Sequence, residues 1–164
     1  MTATIYSRDM PAPGPVLLDA AGLRPGARVL DVGCGRGDTT LVAGCRVGPS
    51  GLVLGVDTSL TMLEDARARA AAARLGHVGF VHGDAQTQRF APLRFDMIVI
   101  ARGLDVFSDT DAGVANLAAA LRDGGRMALV AHDDPDCARA ALNRAGLVDA
   151  VVAATGVVTA SAPG

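Results

Sequence analysis

A short apolar run leads into three glycines at alternate positions in the stretch Val29-Leu30-Asp31-Val32-Gly33-Cys34-Gly35-Arg36-Gly37. Glycine adopts backbone conformations that strain other residues, and it lets a ligand lie close to the main chain. In an open parallel sheet, ligands bind beyond the carboxyl ends of the strands. The stretch therefore predicts a strand that ends in a loop against which an extended ligand lies.

Short Val/Ile/Leu-rich runs alternate with longer segments of helical period on both sides of this loop. Five runs predict strands, over residues 28–32, 52–56, 77–81, 95–100 and 126–131. Two final runs, 147–153 and 157–160, meet at Thr155-Gly156 and predict a hairpin. The pattern predicts an α/β fold, a Rossmann-like doubly wound, mostly parallel seven-stranded sheet with a C-terminal antiparallel hairpin strand. We interpret residues 1–164 as one domain, with 1–14 as a flexible or lid-like lead-in.

Helix ends are predicted from capping residues and glycines. Ser59 can cap a helix whose last turn is followed by Gly76, the residue expected in the left-handed conformation. Apolar residues at helical spacing predict a later helix that continues through Leu121 and closes at Gly124-Gly125.

Composition excludes several classes of function. The formal net charge is −2, so the chain offers no electrostatic reason to bind nucleic acid. All fifteen basic residues are Arg, which excludes lysine Schiff-base chemistry. The three cysteines and three histidines lack metal-ligand spacing, so no metal is expected. Without an N-terminal signal peptide or a 20-residue apolar run, we expect a cytoplasmic protein with no membrane span.

A dinucleotide site is one alternative for the glycine loop. Its fingerprint places a third glycine at position 38, because the pyrophosphate binds at the N-terminus of the next helix. Position 38 is Asp38, whose carboxylate would repel that phosphate. A nicotinamide oxidoreductase is therefore disfavoured.

With its loop and four later segments, the chain resembles the class I S-adenosylmethionine-dependent methyltransferases. Their first motif is an acidic residue followed by x-G-x-G-x-G. The later segments are similar to further motifs in the same order: GVDTS at 55–59 with ML at 62–63, GDA at 83–85, FDMIV at 95–99 and LRDGGR at 121–126. The resemblance covers residues 18 to about 130, and 100–121 look most like the quinone-biosynthesis branch of small-molecule methyltransferases. Asp123 is a departure, since proline is usual there.

The resemblance implies a set of residues that bind S-adenosylmethionine. Asp57 would accept from the two ribose hydroxyls, and Asp84 would accept from the adenine amino group beside the Ala85 N–H. Asp31 would orient the loop and, indirectly, the methionine ammonium, to which Ala101 would offer its carbonyl. The full predicted set is Asp31, Gly33, Cys34, Gly35, Gly37, Asp57, Thr58, Met62, Gly83, Asp84, Ala85 and Ala101.

Methyl transfer from a sulfonium needs alignment more than acid–base chemistry, so no single catalytic motif is expected. His132 is the candidate base, because it follows the fifth predicted strand near the cofactor cleft. Arg102 and Asp105, after the fourth strand, and Tyr6 and Arg8, in the lead-in, are candidate substrate contacts. The predicted acceptor is a small molecule.

The chain looks like a short form of the family, because Ala131 leads within a few residues to the helix cap Asp134. In many relatives a substrate-covering insertion follows strand five. We expect residues 1–15, a second copy in a homodimer, or a partner subunit to cover the active site. A second hypothesis is a protein that binds the cofactor but does not methylate, or that needs a partner subunit to do so.

Overall fold

The computed structural model describes residues 13–131 and 134–164. Within those ranges the helices are α1 (Pro13–Ala20), α2 (Asp38–Val47), α3 (Leu60–Ala72), α4 (Thr110–Ala118) and α5 (Pro135–Arg144), with one 3-10 turn at Leu104–Val106. The strands are β1 (Arg28–Val32), β2 (Leu52–Asp57), β3 (Val78–His82), β4 (Phe95–Ile100), β5 (Leu121–Val130), β6 (Val148–Val152) and β7 (Val157–Ser161). No helix in the described part of the chain is both long and apolar enough to cross a membrane.

The strands form one seven-stranded sheet in the order β3-β2-β1-β4-β5-β7-β6. Strands β1 to β5 are parallel, whereas β7 pairs antiparallel with both β5 and β6. The predicted α/β fold class and its C-terminal hairpin are therefore confirmed. The chain order reverses between β1 and β4, and in such sheets the reversal point is where ligands bind.

Each face of the sheet is covered by helices and has its own apolar core. On one face, Val29 and Val99 pack with Leu17 of α1 and Val47 of α2. On the other face the core includes Leu30, Ile98, Leu117 of α4 and Leu142 of α5. Neighbouring residues along a strand point to opposite faces, so apolar runs such as β1 and β4 supply both cores.

The predicted boundary between the fourth helix and the fifth strand was wrong. Helix α4 ends at Ala118, and Leu121 already pairs with Phe95 as the first residue of β5. The register shifts between Phe95 and Met97, and Gly124 has φ of +67°, so the two glycines lie in an irregularity inside the strand. Arg122 donates to Asp96 there, which holds the irregular segment on β4.

The predicted left-handed residue after α3 was also wrong. Arg74, not Gly76, has a positive φ, of 56°. The Arg74 N–H donates to the Ala71 carbonyl and the Leu75 N–H to the Ala70 carbonyl, both at 3.0 Å. This pair of bonds requires a left-handed residue immediately after the last helical turn, whatever its side chain.

We expect the Gly113→Ala variant to be less stable than the wild type by about 1–2 kcal/mol. Helix propensity alone predicts the opposite, a gain of about 0.5–1 kcal/mol for Gly to Ala inside α4. A Cβ at position 113 would lie 2.5 Å from Cγ and Cδ1 of the buried Phe107 ring, however, and overpacking costs about 1–3 kcal/mol. Denaturant unfolding measures the change.

The control for this prediction replaces the Phe107 ring with a smaller side chain. In the Phe107→Leu background, Gly113→Ala should cost less, because the contact it creates is gone. A Gly113→Ala protein that unfolds at higher denaturant concentration than the wild type would contradict the packing argument.

Candidate functional site

The glycine loop between β1 and α2 is held in a conformation that glycine favours. Gly33, Gly35 and Gly37 have φ angles of 67°, 52° and 83°. The N–H groups of Gly33 and Cys34 both donate to the Val56 carbonyl, at 2.9 and 3.1 Å. These bonds fix the loop against the end of β2, beside the reversal point of the sheet.

Asp57 ends β2 and connects the loop to the next helix. Its Oδ2 accepts from the Gly35 N–H and its Oδ1 from the Ser59 N–H, each at 2.8 Å. Only 9% of the residue is exposed. The carboxylate therefore fixes the positions of the glycine loop and the first turn of α3 at once.

Asp31 lies behind the loop and is 1% exposed. Its Oδ2 accepts from the Thr40 hydroxyl at 2.6 Å, whereas its Oδ1 has no hydrogen-bond partner in the described part of the chain. Burial raises the pKa of Asp31 from its ordinary value of 3.8 to about 7, and the nearby Asp57 charge adds to the rise. A buried, unsatisfied carboxylate oxygen is costly, so this position fits a ligand that brings positive charge.

The segment after β3, residues 83–88, is held together by hydrogen bonds to Asp84. The Asp84 Oδ1 accepts from the Gln86 N–H at 2.8 Å, and its backbone carbonyl accepts from the Gln88 N–H at 2.7 Å. Gly83 N–H donates to the Asp57 carbonyl at 3.0 Å, which attaches the segment to β2. The Asp84 Oδ2 forms no hydrogen bond with the described residues, so it remains available to a donor.

A cavity of about 180 Å³ lies at the carboxyl ends of β1 and β2. It brings together seven of the predicted residues, Gly33, Asp57, Thr58, Gly83, Asp84, Ala85 and Arg102. Its other wall residues were not predicted from the sequence: Val32, Val56, Val106 and Phe107. All four are apolar, and an apolar residue in a sequence is ordinarily assigned to the core. Only the folded chain shows that Val106 and Phe107, which follow β4, return to the ends of β1 and β2.

Seven of the predicted residues in the described part of the chain do not line this cavity: Asp31, Cys34, Gly35, Gly37, Met62, Ala101 and Asp105. Cys34 is buried against Gly55, with burial raising the pKa of its thiol, and Ala101 packs on the core at the end of β4. Met62 is 40% exposed, with its sulfur 3.6 Å from where a Cβ on Gly35 would be, and Asp105 is exposed in the 3-10 turn. Tyr6, Arg8 and His132 lie outside the described residues.

Arg102 stands at the mouth of the cavity. Its Cδ lies 3.7 Å from the position that a Cβ on Gly33 would occupy, and the residue is exposed. Arg102 makes no ion pair with any carboxylate among residues 13–131 and 134–164. As far as the described residues go, its guanidinium is therefore available to an anionic group of a ligand.

A larger groove, of about 520 Å³, lies between α3 and the edge strand β3. It is lined by residues such as Arg67, Leu75 and Phe80 and contains none of the predicted site residues. Because the smaller cavity lies where the chain order reverses and contains the carboxylates, we identify that cavity as the candidate site.

The start of α2 and the arrangement of metal-ligating side chains bear on which cofactor fits the site. Asp38 begins α2 and pairs with Arg69 at 2.7 Å, so a carboxylate occupies the first turn where a dinucleotide phosphate would bind. Within the described ranges, no group of three His, Cys, Asp or Glu side chains could hold a metal ion. The orphaned Asp31 oxygen and the glycine loop fit an adenosine ligand with a cationic tail.

The comparisons with known proteins agree with this geometry. A family described as "Methyltransferase domain" matches residues 29–125, more than half of the chain. The chain is 38% identical over 123 residues to nocamycin O-methyltransferase of Saccharothrix syringae, covering 75% of this chain and 44% of that protein. It is 35% identical over 114 residues to demethylmenaquinone methyltransferase of Staphylococcus aureus, covering 70% and 46%.

Among solved structures, a SAM-dependent methyltransferase from Aquifex aeolicus superposes with a TM-score of 0.74 at 21% identity. The match covers 92% of this chain and 88% of that chain, and at this identity it supports the fold. The chain spans less than half the length of the two curated relatives it matches.

Proposed function

Because the chain belongs to the methyltransferase domain family, we propose that it binds S-adenosylmethionine and transfers the methyl group to a small-molecule acceptor. The observation that carries the proposal is Asp57, whose carboxylate reaches the cofactor loop from the end of β2 and lines the cavity. The glycine loop and Asp84 support it, because they would hold the two ends of the adenosine. We treat residues 1–164 as one cofactor-binding domain.

The residues present would hold the cofactor in parts. Asp57 and Thr58 would bind the ribose, and Asp84 with the Ala85 N–H would bind the adenine edge. The Ala101 carbonyl would accept from the methionine ammonium, and Asp31, buried behind the loop, would stabilise the ammonium indirectly. When bound, the cofactor supplies a methyl group on a positively charged sulfur, which an acceptor attacks in line.

The chain's own residues would align the acceptor and exclude water. Val106 and Phe107 form an apolar wall of the cavity, and Arg102 at its mouth would bind an acidic group of the acceptor. Asp105 and the lead-in residues Tyr6 and Arg8 are further proposed contacts. His132 is our candidate base, needed only for an acceptor that arrives protonated.

The binding step is tested by calorimetry with S-adenosylhomocysteine. We expect a single site with a dissociation constant in the micromolar range, about −8 kcal/mol. NADH serves as the control and should not bind, because Asp38 occupies the first turn of α2. Binding of NADH without binding of S-adenosylhomocysteine would contradict the proposal.

The transfer step is tested by incubating the protein with S-adenosylmethionine and candidate acceptors, including quinone precursors and acidic phenols. We expect S-adenosylhomocysteine to be released with one acceptor class and the Arg102→Ala variant to raise KM for it. Absence of product with any acceptor and with cell extract would overturn catalysis while leaving cofactor binding intact.

A second candidate function is cofactor binding that needs a partner subunit for transfer. The cavity of about 180 Å³ is below the ~300 Å³ at which small-molecule sites usually begin, so it needs a further wall. Of the segment 1–15 predicted to cover the site, residues 13–15 belong to α1, so residues 1–12, a second copy of the chain or a partner subunit would supply that wall. This candidate would be favoured if the protein alone binds the cofactor tightly without methyl transfer, and methyl transfer appears when a partner protein is added.

We also propose that the protein works in the cytoplasm. Cys34, Cys45 and Cys137 are all free thiols, two of them exposed. Exposed free thiols suit a reducing compartment.

A further inference from the structure

Asn116 in the last turn of α4 holds the segment that follows β3. Its amide nitrogen donates to the Ala85 carbonyl at 2.8 Å and to the Gln88 carbonyl at 2.9 Å. A side-chain amide has two N–H donors, so both are used on this one segment. Asn116 is half-buried, and its helix neighbours Val114 and Leu117 are fully buried, so this part of α4 is anchored in the core.

The segment depends on such outside bonds because it contains neither helix nor strand. The hydrogen bonds around Asp84 join residues of the segment to one another, and they do not fix its orientation toward the cavity. Gly83 attaches the segment to β2, and Gln86 Oε1 accepts from the Ser108 hydroxyl and the Asp109 N–H at its outer side. Asn116 is the residue through which α4 reaches the backbone directly after Asp84.

We propose that Asn116 is a positioning residue that sets the selectivity of the site for the purine base. By holding the carbonyls of Ala85 and Gln88, it fixes the backbone that carries the Asp84 carboxylate and the Ala85 N–H, and both of these residues line the cavity. A fixed acceptor beside a fixed donor distinguishes an amino group from a carbonyl at C6 of the base. This inference rests on the proposed binding of adenosine in that cavity.

The test compares two ligands on matched variants. S-adenosylhomocysteine has an amino group at C6, and S-inosylhomocysteine has a carbonyl there, which Asp84 repels. The Asn116→Ala variant removes both donors, whereas Asn143→Ala changes the only other asparagine, which is exposed on α5. Calorimetry gives both dissociation constants for each protein, and thermal unfolding reports whether each variant folds.

The expected result is a loss of discrimination. Asn116→Ala should bind S-adenosylhomocysteine roughly tenfold more weakly than the wild type, as two lost neutral hydrogen bonds imply. Its affinity for S-inosylhomocysteine should change less than about threefold, because a loosened Asp84 no longer opposes the carbonyl. Asn143→Ala should keep the wild-type ratio.

If Asn116→Ala leaves the ratio of the two dissociation constants unchanged, for example by weakening both ligands equally, the inference is overturned. A residue with a purely structural role would give that result. If Asn116→Ala does not fold, the same ratio is measured on Asn116→Asp, which keeps the shape but presents a carboxylate to two carbonyls. Its ratio should be reduced at pH 8 and recover on acidification, since a protonated carboxyl regains one donor. Failure of the wild type to bind S-adenosylhomocysteine is a separate result, which overturns the proposed function.

Discussion

The Asp57→Ala variant is expected to bind S-adenosylhomocysteine at least about 100-fold more weakly than the wild type, a loss of about 3 kcal/mol. Both oxygens of Asp57 already accept hydrogen bonds, from the N–H groups of Gly35 and Ser59. Each oxygen keeps a further lone pair, so the same carboxylate can also accept from ribose hydroxyls. The substitution therefore removes the proposed ribose contact and releases the glycine loop in one step.

Calorimetry with S-adenosylhomocysteine measures this loss, and the controls separate its two causes. Asp57→Asn keeps one acceptor oxygen and should be intermediate. Asp19→Ala removes an aspartate whose side chain is 71% exposed, paired with Arg46 away from the cavity, and should bind as the wild type does. A dissociation constant within twofold of the wild type for Asp57→Ala would contradict the assigned role of this carboxylate.

The parts of the fold that sequence reasoning predicted are those specified by local patterns. The boundaries of β1 and β4 and the glycine loop follow from apolar runs and from positions where only glycine is unstrained. Leu121 could not be assigned in this way, because an apolar residue at helical spacing also suits the first position of a buried strand. Its pairing with Phe95 depends on contacts across the sheet, and those contacts decided between helix and strand.

The residues of the candidate site also fall into two groups, those that local patterns identify and those that depend on distant contacts. Asp57 and Asp84 were predicted because each lies at or just after a strand end, within a motif of the family that the chain resembles. Asn116 was missed because its partners Ala85 and Gln88 are 31 and 28 residues away, and a single asparagine in a helix gives no signal. Phe107 was missed because its place on the cavity wall depends on how the chain turns after β4.

Asp31 connects the stability of the protein to its proposed function. A buried carboxyl with a folded-state pKa of about 7, against 3.8 when exposed, retains a proton in the folded protein that it loses in the unfolded chain. Between these two values the folded state therefore binds more protons, so stability falls as the pH rises. Above pH 7 the ionised Asp31 is destabilising by about 4 kcal/mol, the free energy that corresponds to this difference in pKa.

The Asp31→Asn variant should consequently be more stable than the wild type by about 2–4 kcal/mol at pH 8. The asparagine oxygen can still accept from the Thr40 hydroxyl, so the substitution removes the buried charge and keeps the hydrogen bond. Denaturant unfolding at several pH values measures the gain, which should shrink toward zero as the pH is lowered to about 4. Asp19→Asn, at an exposed carboxylate, is the control and should change little at any pH.

The same variant should bind S-adenosylhomocysteine roughly tenfold more weakly, because the negative charge that would stabilise the methionine ammonium is lost. A residue selected for stability alone would not be a buried carboxylate with an unsatisfied oxygen, and a ligand that brings a positive charge would compensate for that cost. If Asp31→Asn gained stability at pH 8 and bound the ligand as tightly as the wild type, the carboxylate would have no role in binding. If it lost stability at that pH, ionised Asp31 would have a partner that the structure does not show.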